Sequence, residues 1–156
     1  METKDEFPTR KRNRLQNFNY SSSKAYFITI CTKNRKNLFW ARKQPDFVGE
    51  DIILPPDHVN LSPHGIIVDE AINNIPKHYP EIQLLQYVIM PNHVHIILLI
   101  PYDDGRIISS PTSILTVIGQ MKHYASRKIG EAIWQKSFYD HLIRNANDYE
   151  DICKYI

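Results

Sequence analysis

The chain has only two cysteines in 156 residues, Cys31 and Cys153, far apart and without a CxxC pair. This excludes a disulfide framework and argues against thiol chemistry, and it fits a reducing compartment. No apolar run reaches the length needed to cross a bilayer, and the charged N-terminus has no hydrophobic signal region. A cytoplasmic protein with no membrane partner is expected. Internal repeats and low-complexity tracts are also missing, and the net charge is only +2. That charge permits a nucleic-acid partner without requiring one.

What is present suits one globular domain. Hydrophobic residues make up 42% and aromatics 11% of a chain long enough to bury a core. Met1 to Ser23 is polar, carries Arg10, Lys11, Arg12 and Arg14, and reads as a basic flexible tail (1–23). Such a cluster either contacts phosphates or is simply solvated. The remainder, 24–156, reads as the folded domain.

Tyr26 to Cys31 is β-branched and aromatic and forms the first strand, followed by a Lys- and Asn-rich turn over Lys33 to Asn37. Leu38 to Asn60 has no period and reads as an excursion loop, in which Asp51 to Leu54 could pair briefly at an edge. Ser62 as N-cap and Pro63 in the first turn open a helix with an apolar stripe of Ile67, Val68, Ala71, Ile72 and Ile75. Ile82 to Met90 and His93 to Ile100 make a hairpin through Pro91-Asn92, and Asp103-Asp104-Gly105 makes the next turn.

A second helix, with Ile114, Ile118, Met121 and Ala125 inward, stops at Gly130. Ile133 to Arg144 reads as a strand or bent strand. Asn147 with Glu150 resembles a capping box for a last helix that places Tyr149, Ile152, Tyr155 and Ile156 on one face. No cap closes that helix, so the chain reads as truncated within it. The order strand, helix, strand, strand, helix, strand is the α+β, ferredoxin-like split βαβ with an antiparallel sheet.

The chemistry concentrates in Val88 to Leu99. His93 and His95 are separated by one residue, so on a strand both imidazoles project to one face. Buried without partners they would cost desolvation energy, and binding a metal offsets that cost. A histidine pair of this kind also occurs on carbonic anhydrase-like and cupin-like strands. A zinc hydrolase would need a third histidine, and none falls at an obvious ligand spacing.

Three segments in order add specificity: Met90-Pro91-Asn92-His93-Val94-His95, then Trp134-Gln135 with Phe138-Tyr139-Asp140-His141 and Ile143-Arg144, then Asp148-Tyr149 through Tyr155-Ile156. Together they resemble the REP-associated tyrosine transposases, within the HUH single-tyrosine transposases with an IS200-like domain. The resemblance implies a ferredoxin-like domain that cuts and rejoins single-stranded DNA at hairpins such as REP-like palindromes. It implies a divalent metal, Mg²⁺ or Mn²⁺, on His93 and His95, and a nucleophile at Tyr155 that forms a 5′-phosphotyrosine. Tyr139 and Tyr149 rank behind Tyr155.

In that family a third ligand, usually an amide, follows the tyrosine by about one helical turn, a position past Ile156; Gln120 or Gln135 could substitute. Lys122, Arg127, Lys128, His141 and Arg144 join the N-terminal basic residues as candidate DNA contacts. Trp134 and Tyr139 read as core and sheet aromatics rather than as base-stacking platforms. The resemblance allows either a monomer or a homodimer. The alternative function is a DNA-hairpin-binding remnant that no longer cuts.

Overall fold

A computed structural model describes residues 23–41, 60–101 and 113–156. The basic cluster at Arg10 to Arg14, the candidate edge at Asp51 to Leu54 and the turn at Asp103 to Gly105 lie outside the described residues. Four strands, β1 (Ser23–Cys31), β2 (Gln83–Ile89), β3 (His93–Pro101) and β4 (Tyr139–Ile143), form one sheet in the order β2-β3-β1-β4. Every pairing is antiparallel. The helices are α1 (Pro63–Asn73), the single turn α2 (Ile75–His78), α3 (Ile114–Ile129) and α4 (Ala146–Tyr155). This is the ferredoxin-like α+β arrangement that the element order predicts.

Strand alternation divides the apolar side chains between two faces. Ile28, Ile30, Val94, Ile96 and Leu98 join Val68, Ile72, Val117, Ile118 and Met121 in the larger core, so α1 and α3 cover that face. Ala25, Phe27, Ile97, Leu99 and Ile143 form a smaller core on the other face, where Tyr149, Ile152, Cys153 and Ile156 pack from α4. The central position of β3, expected from its apolar character on both faces, follows from this two-sided burial.

The helix starts and stops obey local chemistry. Ser62 Oγ accepts the Gly65 N–H at 3.1 Å to cap α1, and Gly130, at φ 94°, ends α3 in the left-handed conformation. Within the stretch read as an excursion loop, of which 42–59 lie outside the described residues, Phe39 is fully buried in the larger core. Its carbonyl lies where a Cβ on residue 65 would fall, 2.1 Å away, and that close approach requires Gly65.

Two boundaries differ from expectation. Ile133 to Arg144 is not one strand: Trp134 bridges to Thr32, and β4 starts only at Tyr139. In between, Lys122 Nζ donates to the carbonyls of Gln135 and Lys136, at 2.6 and 3.4 Å, so that they need no strand partner. The cap of α4 is Asn145, not Asn147, and its Oδ1 accepts the Asp148 N–H at 2.9 Å. The chain leaves β4 at Ile143, which brings the helix start forward by two residues and leaves Glu150 buried rather than capping.

Candidate active site

The face covered by α4 is organised in rows, because residues paired across strands point the same way. His95, Thr29 and Tyr139 make one row across β3, β1 and β4, and Ile97, Phe27 and His141 make the next. Beyond the end of β4, His93 pairs with Cys31, and the Gln135 N–H donates to the Cys31 carbonyl at 3.0 Å. The apolar rows hold α4 in place. The polar rows form the open end of the sheet.

There the two imidazoles converge, with ring centroids 4.7 Å apart at 76°. Phe27 stacks on His95 at 5.2 Å and 23°, so a core side chain sets the plane of that ring. Tyr155, at the last turn of α4, meets His95 at 5.4 Å and Phe27 at 6.4 Å, edge-on to the latter. Its ring is 70% exposed and available to a ligand. Tyr149, by contrast, packs into the smaller core.

Hydrogen bonds leave one nitrogen of each imidazole for a ligand. His93 Nδ1 lies 2.7 Å from Asn92 Oδ1, an acceptor, so Nδ1 carries the proton and Nε2 keeps its lone pair. His95 Nδ1 lies 2.9 Å from Thr29 Oγ1, and donation to that oxygen frees Nε2 in the same way. Burial lowers both basicities. His95 is pushed down to about 4 by desolvation and then by the charge of His93; His93 is lowered by desolvation and then by Arg35. Neutral imidazoles are the form that binds a metal.

Two neutral nitrogens fit a divalent cation as a partial ligand set. Among the described residues no third His, Cys, Asp or Glu completes a cluster. Of the two amides expected as substitutes, Gln135 lines the same hollow of about 560 Å³ as His95 and Tyr155. Gln120 instead accepts from the Tyr79 hydroxyl in a groove between α3 and the α1–α2 corner.

Sequence reasoning missed Thr29, Phe27 and Arg35. Residues 27, 29 and 31 alternate with the larger-core positions Ile28 and Ile30 on β1, and that period could have found the first two. Arg35 reaches the hollow from a 3₁₀ turn in which Asn34 and Arg35 adopt φ of 58° and 54°. Asn92 steadies that turn, its Nδ2 donating to the Arg35 carbonyl at 3.4 Å.

The other candidate contacts are dispersed. Lys122 is tied to the carbonyls beneath the hollow, and Lys128 pairs with Glu70 at 2.5 Å. Arg127 lines the groove beside α3. His141 Nε2 meets Asp148 at 3.0 Å, and Asp148 also accepts the Arg144 N–H at 3.1 Å. That cluster anchors the start of α4. It and the Arg144 side chain line a separate hollow.

A split βαβ sheet that carries a histidine pair on its central strand and a helix-borne tyrosine on the same face is the arrangement of the HUH single-tyrosine transposases. This chain belongs to the IS200-like transposase family, whose family model matches residues 19–156. It is 31% identical over 166 residues to an uncharacterized protein of Haemophilus influenzae, covering 94% of this chain and 86% of that one. Its fold is similar to that of a REP-associated tyrosine transposase bound to a REP hairpin, at a TM-score of 0.58 and 20% identity, over 96% of this chain and 70% of the other. No helix among the described residues is long and apolar enough to cross a membrane.

Proposed function

We propose that this transposase cleaves and rejoins single-stranded DNA beside hairpins through a covalent bond to Tyr155. The observation that carries this reading is the convergence of His93, His95 and Tyr155 on one open face, with Tyr155 5.4 Å from His95 between ring centroids. A divalent cation, Mg²⁺ or Mn²⁺, held through the Nε2 atoms of His93 and His95, would supply Lewis-acid polarisation of the scissile phosphate. A phenol with an ordinary pKa of about 10 attacks a phosphodiester poorly without such activation.

Tyr155 Oη attacks phosphorus, forming a P–O bond to the tyrosine and breaking the bond to the 3′ oxygen. The phenol proton passes to solvent, and the departing oxygen takes one up to become a free 3′ hydroxyl. A 5′-phosphotyrosine remains on the protein. Because one phosphoester replaces another, a new 3′ hydroxyl can reverse the step without ATP. The Arg35 guanidinium, in the same hollow, offsets the charge of the phosphate. Thr29 and Asn92 hold the two imidazoles in the ligand tautomer.

The test is a covalent-adduct assay. Single-stranded oligonucleotides from hairpins flanking the gene are incubated with protein and Mn²⁺ and run on a denaturing gel beside Tyr155→Phe. A DNA-shifted band that disappears in the variant supports the chemistry and the nucleophile together. Binding on native gels without an adduct would favour the non-cutting remnant.

A further inference from the structure

Tyr139 has no visible structural task. Its ring is 65% exposed, it belongs to neither core, and its hydroxyl makes no hydrogen bond among the described residues. Burial would have given an aromatic side chain of this size a substantial hydrophobic gain, and here that gain is forgone. As a sheet aromatic it should have been half-covered. Instead it opens β4, an edge strand, on the face that carries the histidines.

Its position ties it to the chemistry. Tyr139 shares the row of Thr29 and His95 and lines the same hollow as Tyr155 and Arg35. Two strand spacings separate it from His95, about 10 Å between backbones. A nucleotide whose phosphate lies between Arg35 and Tyr155 can reach it with its base. Phe138 and Gln135 line the same hollow.

We propose that Tyr139 forms a nucleobase-stacking subsite that holds a single-stranded base next to the phosphate attacked by Tyr155. The proposal rests on the single-strand reading above. A ring on a rigid strand offers a flat face at little entropic cost, and every base has a face to match it. Tyr139 is a positioning residue: its ring contributes by stacking, and its hydroxyl takes no part. Tyr155, not Tyr139, meets the ring of His95, so these two tyrosines divide the work between attack and placement.

The test is a cycle between protein and DNA. The probe is a hairpin oligonucleotide with a single-stranded flank, made abasic at one flank position at a time and titrated by fluorescence anisotropy. Wild-type protein should lose about tenfold in affinity at one flank position, in line with the worth of one stacked base. Tyr139→Ala should bind intact DNA about tenfold more weakly and show no further loss at that position. Tyr139→Phe and Tyr139→Trp should retain both affinity and abasic sensitivity.

An unchanged abasic profile in Tyr139→Ala would overturn the subsite, and so would equal losses in Tyr139→Phe and Tyr139→Ala. A wild-type profile with no sensitive position would do the same. A covalent-adduct gel run in parallel reports on the nuclease reading separately. If wild-type protein forms no adduct, that reading fails while the abasic profile still decides the stacking.

Discussion

The ring of Tyr155 stands at 66° to the imidazole of His95, with centroids 5.4 Å apart, although the two residues lie sixty positions apart in sequence. The shared face of β3 and α4 creates this contact, and Phe27 touches both rings. The nucleophile and the metal ligand proposed for these two positions should fail separately.

Tyr155→Phe keeps the ring and its contacts but removes the oxygen proposed to attack. No covalent adduct should form, while hairpin binding on native gels stays within about twofold, because an exposed hydroxyl adds little to affinity. His93→Ala should slow cleavage by at least about 100-fold, since even outer partners of metal ligands are worth 10 to 100-fold. An adduct in Tyr155→Phe would move the nucleophile to another tyrosine.

Thr29→Val conserves shape but removes the oxygen 2.9 Å from His95 Nδ1. Mn²⁺ affinity, measured by calorimetry or by the spin-resonance signal of free ion, should fall about tenfold or more. Chelating the metal should stop cleavage and leave most hairpin binding. Cleavage that survives chelation would remove the role given to the histidines.

Below pH 6.5 the unfolded chain protonates His95, whereas the folded protein resists until about pH 4. The unfolded state therefore binds more protons in that window, and stability falls as the pH drops through it, by about 3 kcal/mol for this group. His93 is shifted in the same direction and adds to the loss. Urea titrations of metal-free protein at pH 7 and pH 4.5 should show the decline, and His95→Gln should flatten it. A wild-type profile without a slope would contradict the burial argument.

Gly65→Ala places a Cβ 2.1 Å from the Phe39 carbonyl oxygen. The start of α1 or the Phe39 segment must shift, at a cost of about 1 to 3 kcal/mol. Thermal melting should report the loss. Gly119→Ala is the control, since a Cβ there meets no atom within 4 Å and should raise stability slightly.

Much of this was legible along the chain because it is local. The alternation of β3 announces two imidazoles on one face, Ser62 and Pro63 announce the start of α1, and Gly130 announces the end of α3. The start of α4 was misplaced because asparagines at 145 and 147 offer the same capping chemistry, and only the exit from β4 selects between them. Phe39 reads as part of a loop, since one buried aromatic between polar residues has no period to reveal it. Tyr139 reads as a sheet aromatic because propensity says which residues suit a strand and not whether a neighbour covers them.

By itself the sequence determined the element order and the pairing of His93 with His95, and through a resemblance it suggested Tyr155 as the nucleophile, all of which depend on short spacings and residue types. Only the tertiary structure decided which side chains meet. It put Thr29, Arg35 and Gln135 beside the histidines, moved Gln120 to a groove elsewhere, tied Lys122 and Lys128 to local partners and left Tyr139 bare. The physical reason is register: which residues of β1, β3 and β4 lie abreast is fixed by pairing strands far apart in sequence, and no local pattern encodes that choice.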